Sequence, residues 1–526
     1  MYARWGDTRY KYGDSNRLYG EPGSPQGPPL VWTFMVAWDG SFSGIPGTFN
    51  NEAMRMVDLT VRRGRDHYLK SGEGGFAHYD PGEAVALFDN EDGRYDPWNE
   101  DSPLYPYVKP GKFVRIKVLD DDEGDNYSVM YGTITDIQPI MYNGTPHARI
   151  TIKDGLQWLA DANASVGKRT ALDVKFAVGY ILDLYEEIDP SDTKWPEDEW
   201  AYYYGGDSLD NEKDYWWCWG QNALEAIHEI EDAEMATFFH TRTGYAALRG
   251  RDYTYLRTKA VDESELLRDY AVPQPWDIMK NKVRIYAHPL VLDEDGPYTV
   301  WELGEILPIA NGETIHMEAI FQYEGFSLCG SGTGYSKTVN TDAGGAGADI
   351  SANCDVEVDG GVGEGVIFDI TNNSGSDGYI LSLYFTSDLI YSPYELVRES
   401  YDEDSMEEYG QKSLIIDSRW LNSTDFAKDL ANWLLERLSE PSPLPTIQVE
   451  NRPGIQFYLD LYDRMELTMG TLSIDEVFRV GKVEHRWLNP TGNAVRTVFK
   501  LEPYLQAQED YWTFPTLIGE TSILGL

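Results

Sequence analysis

The stretch FDNEDGRYDPWNEDSPLYPYVKPG, from Phe88 to Gly111, interrupts strand-like sequence with acids, prolines and aromatics and almost no aliphatic residues. A metal-binding loop, a flexible linker and a rigid loop that shapes a surface are three possible structures for it. Asp92-Gly93 predicts a tight turn, and the four prolines of the stretch fix backbone angles without forming a helix. Because such stiffness lowers the entropy lost on ordering, we expect a rigid loop.

Two side chains of this loop have predicted partners. Arg94 is expected to pair with neighbouring acids, and Tyr95 to pack beside Pro97 and Trp98. The acids do not have the spacing of an EF-hand, because that alignment puts Phe88 in the first ligand position. An irregular calcium loop stays open as an alternative.

On both sides of the loop, from about residue 30 to 152, short apolar runs alternate with turn residues. Asn143-Gly144 stands between two such runs and predicts a β-hairpin. Several short strands with regular turns predict a β-barrel or a β-sandwich. We therefore expect a first β domain over residues 31–160.

Helices are expected at three places. The spacing of apolar residues predicts a helix capped by Thr170 that runs to Tyr185, and a second helix in NALEAIHEIEDAE before a strand–turn–strand segment. A third helix follows Ser423 and ends before the prolines that begin at Pro441. The helix and hairpin of residues 161–296 are expected to form an α+β domain.

The centre of residues 297–395 is rich in glycine and asparagine, and strand-like pieces follow it. We expect an inserted, sandwich-like β domain with long loops. The remaining segments are an N-terminal arm at 1–30, a helix followed by a second β domain at 396–510, and a tail at 511–526. The arm could lie over a neighbouring subunit or be an ordinary linker. The fold class is therefore mainly β with some α+β.

The chain of 526 residues has 88 acids against 43 basic residues and a formal net charge of −45. This charge disfavours non-specific binding to nucleic-acid phosphates over most of the surface. It fits either an ordinary solvated acidic surface or a wall that DNA passes without adhering.

Each active-site motif that the sequence resembles lacks a required residue. His228-Glu229 lacks the second histidine of a zinc protease, because Asp232 stands in its place. VGKRT at 166–170 lacks the first glycine of a phosphate-binding loop, and Cys329 replaces the second glycine of a nucleophile elbow. Val291 occupies the first ligand position of an EF-hand-like stretch. We predict no catalytic, cofactor-binding or metal-binding residues.

Disulfides, a zinc site, a secretory signal and a membrane span are also not expected. Cys218, Cys329 and Cys354 have no metal-binding spacing, and they predict neither a disulfide framework nor a zinc site. The N-terminal segment lacks the apolar core of a secretory signal, and the most apolar stretch, Pro29–Trp38, is too short to span a bilayer.

The stretches VRRGRDHYLK, GEAVALFDNEDGRYDPWNEDSPLYPYVKPGKFVRI and YGTITDIQP together resemble the hub-type minor tail proteins at the tail tip of long-tailed bacteriophages. The phrase LDNxDGRYDPxNxxSPxYPxxxPGxxVRI recurs in that group, and Phe88 replaces its leucine. Later segments, including the helix–hairpin that ends near Arg251 and SMEEYGQKSLIID, are similar too. The resemblance covers most of residues 50–500.

This resemblance implies a structural virion protein without catalysis. It implies a homotrimer in which two barrel-like domains per chain form a ring between the tail tube and the tip fibre or receptor-binding proteins, with genomic DNA passing through it. The inserted domain could bind a glycan or decorate the surface. A tail adhesin and a tail-associated glycan hydrolase are the alternatives.

One basic cluster stands out against the acidic background. Arg62, Arg63 and Arg65 follow a predicted strand. They could pair with acids of a neighbouring subunit or form a solvated turn, and the sequence does not choose between these two arrangements.

Overall fold

The computed structural model describes residues 30–40, 48–69, 75–120, 126–184, 202–210, 212–253, 256–267, 270–322, 329–330, 334–359, 363–487 and 494–504. Apart from Leu30, the predicted arm at 1–30 lies outside the described residues. The predicted tail at 511–526 also lies outside them.

The first part of the chain forms an antiparallel sheet with the strand order β3-β4-β7-β6-β5-β1-β2. Its strands are β1 (Leu30–Val36), β2 (Asn50–Asn51), β3 (Met56–Gly64), β4 (Asp80–Asp89), β5 (Phe113–Asp120), β6 (Asn126–Tyr142) and β7 (Thr145–Lys153). Alternate residues of β1 are buried, so one face of this sheet covers an apolar core. Asn143 and Gly144 both have positive φ angles, which confirms the predicted hairpin between β6 and β7.

The middle part mixes helices with short sheets. Its elements are α1 (Gly155–Ala160), β8 (Asn163–Asp173), α2 (Val174–Asp183), β9 (Tyr202–Gly205), β10 (Glu212–Asn222), α3 (Ala223–Glu234), β11 (Thr237–His240), β12 (Ala246–Arg249) and β13 (Thr258–Asp262). The predicted second helix and hairpin are confirmed as α3, β11 and β12.

Thr170 does not cap a helix, and that prediction is wrong. Thr170 lies within β8, where it is paired with Tyr215 of β10, and α2 begins only at Val174. The strand pairing with a distant segment overrides the local helical pattern of the sequence.

The strands between residues 291 and 391, where an insertion over 297–395 is expected, form two sheets of their own. This segment begins after β14 (Lys282–Ala287) and comprises β15 (Val291–Glu302), β16 (Leu307–Ile309), β17 (Thr314–Ile320), β18 (Cys329–Gly330), β19 (Gly334–Asn340), β20 (Cys354–Asp359), β21 (Gly365–Asn372) and β22 (Gly378–Tyr391). A five-stranded and a three-stranded sheet pack over one core that contains Phe368 and Phe385. The glycine-rich centre contains β19 and β20 in addition to loops.

The chain returns from the insertion through β23 (Leu396–Tyr401), which pairs antiparallel with β14. The elements that follow are α4 (Glu403–Tyr409), β24 (Ser413–Asp417), α5 (Thr424–Leu438), β25 (Thr446–Glu450), α6 (Pro453–Gln456), β26 (Arg464–Met469), β27 (Ile474–Trp487) and β28 (Val495–Pro503). Ser423 caps α5 as predicted, because its side chain accepts a hydrogen bond from the Phe426 N–H.

The last strands do not form a separate sheet. Strand β27 pairs antiparallel with β3 over the six pairs from Gly64–Lys482 to Leu59–Trp487. The first and last strands of the chain therefore belong to one sheet, which has twelve strands within the described residues. The structure is mostly β with several sheets, which confirms the predicted fold class, and the described strands do not form a closed barrel.

Candidate functional site at the sheet junction and the acidic loop

Two features stand out as candidates for function. The first is the sheet junction, which we define as β3 and β27 with the arginines at 62, 63 and 65 and their acidic partners Asp460, Glu484 and Glu502. The second is the acidic loop, residues 89–111, which was singled out from the sequence.

Backbone contact at the sheet junction depends on Gly64. Its φ angle is +106°, and a Cβ atom there would lie 2.2 Å from the carbonyl oxygen of Gly481. The same carbonyl accepts a hydrogen bond of 3.1 Å from the Arg65 N–H. Only glycine allows the two strands to approach so closely at the point where β3 ends.

Arg65 forms a buried, bidentate ion pair with Glu502. Its Nε and its second guanidinium nitrogen each lie 2.9 Å from a carboxylate oxygen of Glu502, and its third nitrogen donates to the Ala77 carbonyl at 2.7 Å. Burial lowers the pKa of Arg65, but the charge of Glu502 outweighs burial, and the net shift is upward. Arg65 therefore keeps its charge inside the protein.

Arg63 forms a second buried pair across the junction, with Asp460. The guanidinium lies 2.6 Å from a carboxylate oxygen of Asp460 and donates a second bond, also of 2.6 Å, to the His240 carbonyl. Burial alone would raise the pKa of Asp460, but Arg63 and Arg242 lower it to about 2. Burial and the charge of Arg63 lower the pKa of His240 to about 3, so its imidazole is neutral here.

These contacts decide between the two arrangements left open for the basic cluster. Arg63 and Arg65 are neither a solvated turn nor free to pair with a neighbouring subunit, because each is buried against an acid of its own chain. Arg62 is half exposed and lies 3.2 Å from Glu484 on the paired strand. The sequence pattern missed the partners because they follow some 400 residues later, and no local signal connects them.

We predict that Arg65→Met lowers the free energy of unfolding by about 3–5 kcal/mol, because Glu502 stays buried without its partner. The double variant Arg65→Met/Glu502→Leu should recover most of this loss, since the uncompensated charge is then removed. Chemical denaturation of the full chain measures both values.

Arg62→Met is the matched control, since it removes an exposed arginine of the same strand and should cost about 0–1 kcal/mol. Equal effects of the Arg62 and Arg65 substitutions would contradict the role given to the buried pair.

Glu52 anchors the acidic loop. Its carboxylate lies beneath the loop, where it accepts hydrogen bonds from Trp38 Nε1 at 3.0 Å, from Arg94 at 2.8 Å and from the Tyr95 hydroxyl at 2.7 Å. Arg94 therefore pairs with an acid, as predicted, but the acid lies 42 residues earlier in the chain. Burial, followed by the charge of Glu52, raises the pKa of Tyr95, whose hydroxyl stays protonated.

The backbone of the loop is a chain of turns. Successive N–H groups at 93, 96, 99, 102 and 105 each donate to the carbonyl three residues earlier, at 3.0–3.2 Å. Gly93 has a φ angle of +65° in the first turn, where a Cβ atom would lie 2.9 Å from the Asn99 amide nitrogen. The loop is therefore closed by successive bonded turns, which is the arrangement that a rigid loop requires.

The packing predicted for Tyr95 is partly wrong. Its ring is fully buried and lies against Phe88 and Trp38, whereas Trp98 is 80% exposed. Two acids of the loop bind its own framework, since Asp92 pairs with Arg55 at 2.7 Å and Asp96 accepts from Asn90 at 2.8 Å. The calcium alternative remains a prediction without support from these contacts.

We predict that Tyr95→Phe destabilises the chain by about 1.5–3 kcal/mol, because the buried Glu52 carboxylate loses the hydrogen bond from the Tyr95 hydroxyl while the ring stays in place. Limited proteolysis should then cut the acidic loop faster, and thermal unfolding should begin at a lower temperature.

Trp98→Ala in the same loop is the control, with an expected change within about 0.5 kcal/mol because the side chain is exposed. If Tyr95→Phe leaves the rate of proteolysis and the unfolding temperature unchanged, as Trp98→Ala is expected to do, the anchoring by Glu52 is contradicted.

Exposed apolar side chains mark one end of the first part of the sheet. Met141 is 70% and Tyr142 47% exposed at the tip of the β6–β7 hairpin. The acidic loop begins next to this hairpin, since the Asn90 N–H donates to the Pro146 carbonyl at 3.2 Å. We call the hairpin tip and the acidic loop together the end surface, which suits contact with another protein.

The helix histidine rejected as a zinc ligand is confirmed as a half-buried residue of α3. His228 stacks on His78 at 3.9 Å between ring centroids, and His78 lies 2.9 Å from Asp232. Burial raises the pKa of nearby Glu231 to about 7. The cavity beside these groups has a volume of about 30 Å³, enough for one or two water molecules but not for a sugar ring.

Further expectations concern cysteines, tryptophans and membranes. Cys218 and Cys354 are free thiols, and the side chain of Cys329 lies outside the described residues. Among the described tryptophans, the strongly exposed ones are Trp98 and Trp276, which are 178 residues apart in the chain. Within the described parts of the chain, no helix is long and apolar enough to cross a bilayer.

A cluster of metal-ligating side chains was missed from the sequence. His288, Glu395 and Asp417 are far apart in the chain, and their ligand atoms lie within 4.8 Å of one another. No sequence motif contains the three residues, because each lies at the end of a different strand.

Comparison with known proteins gives structural neighbours only. No protein-family model matches the sequence, and no curated protein matches it. The 43 kDa tail protein of prophage MuSo2 from Shewanella oneidensis aligns with 11% identity and a TM-score of 0.47 over 90% of this chain and 98% of that one. A tail protein from Neisseria meningitidis aligns with 10% identity and a TM-score of 0.48 over 89% of this chain and 96% of that one.

A third neighbour comes from a secretion system. It is the E. coli c3393 protein, a type VI secretion component described as similar in structure to phage T4 tail proteins gp27 and gp5. It aligns with 7% identity and a TM-score of 0.39 over 86% of this chain and 74% of that one.

Proposed function

We propose that the chain is a structural protein of a bacteriophage tail that forms a hub ring at the tail tip, through which DNA passes. The proposal starts from the sequence of residues 88–116, which resembles the hub-type minor tail proteins. The structure of this stretch supports it, because the loop is rigid and buries its Tyr95 anchor rather than forming a flexible linker.

The observation that carries the proposal is the pairing of β3 with β27. It combines two distant parts of the chain into one sheet and places two sheet-forming halves side by side. Three such chains would supply six sheet halves around a common axis. A ring of this kind can connect a sixfold tube to a threefold tip without a change of subunit.

The charge of the chain supports the passage of DNA. A net charge of −45 repels phosphates, so a bore lined by such subunits would not retain the nucleic acid. The basic residues of the sheet junction do not oppose this, because Arg63 and Arg65 are buried and neutralised by Asp460 and Glu502.

The end surface is the proposed contact with other tail proteins. Its exposed Trp98, Met141 and Tyr142 offer apolar area on a rigid framework. The tail tube, the distal tail proteins and the tip fibre or receptor-binding proteins are the partners this role implies. The location is then the tail tip of the virion.

A non-enzymatic role is part of the proposal. Nothing in the described residues favours an adhesin groove of tryptophans, and the cavity beside Glu231 is too small for a glycan. The inserted domain is assigned to decoration of the surface.

We predict that the purified full chain elutes with about three times the mass of one chain in light scattering coupled to gel filtration. Negative-stain images should show particles with threefold symmetry and a central opening. A monomer at micromolar concentration, or a compact oligomer without an opening, would contradict the hub.

A further inference from the structure

The base of the inserted domain brings three potential ligands to one end of a small sheet. Strand β14 is the centre of this sheet, between β23 and β24. His288 follows β14 directly, Glu395 precedes β23, and Asp417 is the last residue of β24. Because β23 is antiparallel and β24 parallel to β14, all three residues stand at the same end of the sheet.

The geometry of this cluster is partly fixed before any ligand binds. The Nε2 atom of His288 lies 2.7 Å from a carboxylate oxygen of Asp417. The backbone N–H of His288 donates a hydrogen bond of 2.7 Å to the Leu421 carbonyl. A carboxylate oxygen of Glu395 lies within 4.8 Å of both ligand atoms. Two ligands of one tetrahedral zinc ion lie about 3.4 Å apart, so small side-chain movements would suffice.

We propose that His288, Glu395 and Asp417 bind one divalent transition-metal ion, with zinc as the best fit. One imidazole and two carboxylates are ligands that zinc accepts, whereas calcium prefers oxygen ligands alone. The cluster is accessible to solvent, since Asp417 is 60% exposed and His288 20% exposed, so a bound ion keeps water in its remaining positions.

The position of the site gives it a role in holding the insertion. The chain leaves the sheet at His288 and returns at Glu395, so an ion bound there would connect the exit and the return of the inserted domain to β24. A second contact already holds the domain, because Trp219 Nε1 donates to Glu318 at 2.9 Å and its ring fills the space above Gly363. The ion and this contact would together fix the orientation of the insertion.

A simple ion pair between His288 and Asp417 is the competing explanation of the same geometry. The two explanations differ in what Glu395 does, since an ion pair does not need it. They also differ in their response to metal, since an ion pair predicts no uptake.

The experiment uses the full chain without an affinity tag, stripped of metal with a chelator. Titration calorimetry with zinc chloride should show one site per chain, and cobalt should give the visible absorption of a low-symmetry complex. His288→Ala should abolish this site, and Glu395→Gln should weaken it by at least about tenfold. Zinc should also slow proteolysis of the insertion in the unchanged chain.

His316→Ala is the matched control, because His316 also pairs with an exposed acid, Asp369 at 2.6 Å, but belongs to no group of three ligands among the described residues. It should leave zinc binding unchanged. The proposal is overturned if zinc does not bind at millimolar concentration. It is also overturned if Glu395→Gln binds zinc as tightly as the unchanged chain does, or if His316→Ala reduces zinc binding as much as His288→Ala. Circular dichroism of each variant confirms that a lost site is not a lost fold.

Discussion

The architecture depends on two buried arginine–carboxylate pairs that connect the beginning of the chain to its end. Arg65–Glu502 and Arg63–Asp460 span the junction where β3 meets β27. Such pairs add little net stability compared with apolar residues, but they are costly to break or to shift. A slip of β3 by one residue would break both buried pairs, so these pairs fix the register of β3 against β27.

The pairing of β3 with β27 joins the two halves of the large sheet. The two halves of the sheet form one unit, so a contact made by one half orients the other. The acidic loop lies at one end of this unit and is held from below by Glu52, while the inserted domain branches from a separate small sheet at β14 and β23. The large sheet and the insertion therefore belong to different sheets of the described residues.

The local features were predictable from the sequence. The hairpin at Asn143-Gly144, the cap at Ser423 and the rigid loop follow from turn, capping and proline rules that act over a few residues. The helix cap assigned to Thr170 failed because pairing with the distant β10 overrides local propensity. The partners of Arg63, Arg65 and Arg94, and the cluster at His288, were not predictable, because sequence distance hides contacts that only the tertiary fold creates.

Hydrogen exchange followed by mass spectrometry tests most directly whether the two halves are one unit. The account predicts that amides of β3 and β27 exchange together and belong to the slowest class in the chain, because they open only when the whole sheet unfolds. Arg65→Met should speed the exchange of both strands by the same factor. Exchange of β25–β28 that is complete while β3–β7 stay protected would show two independent domains and would contradict the account.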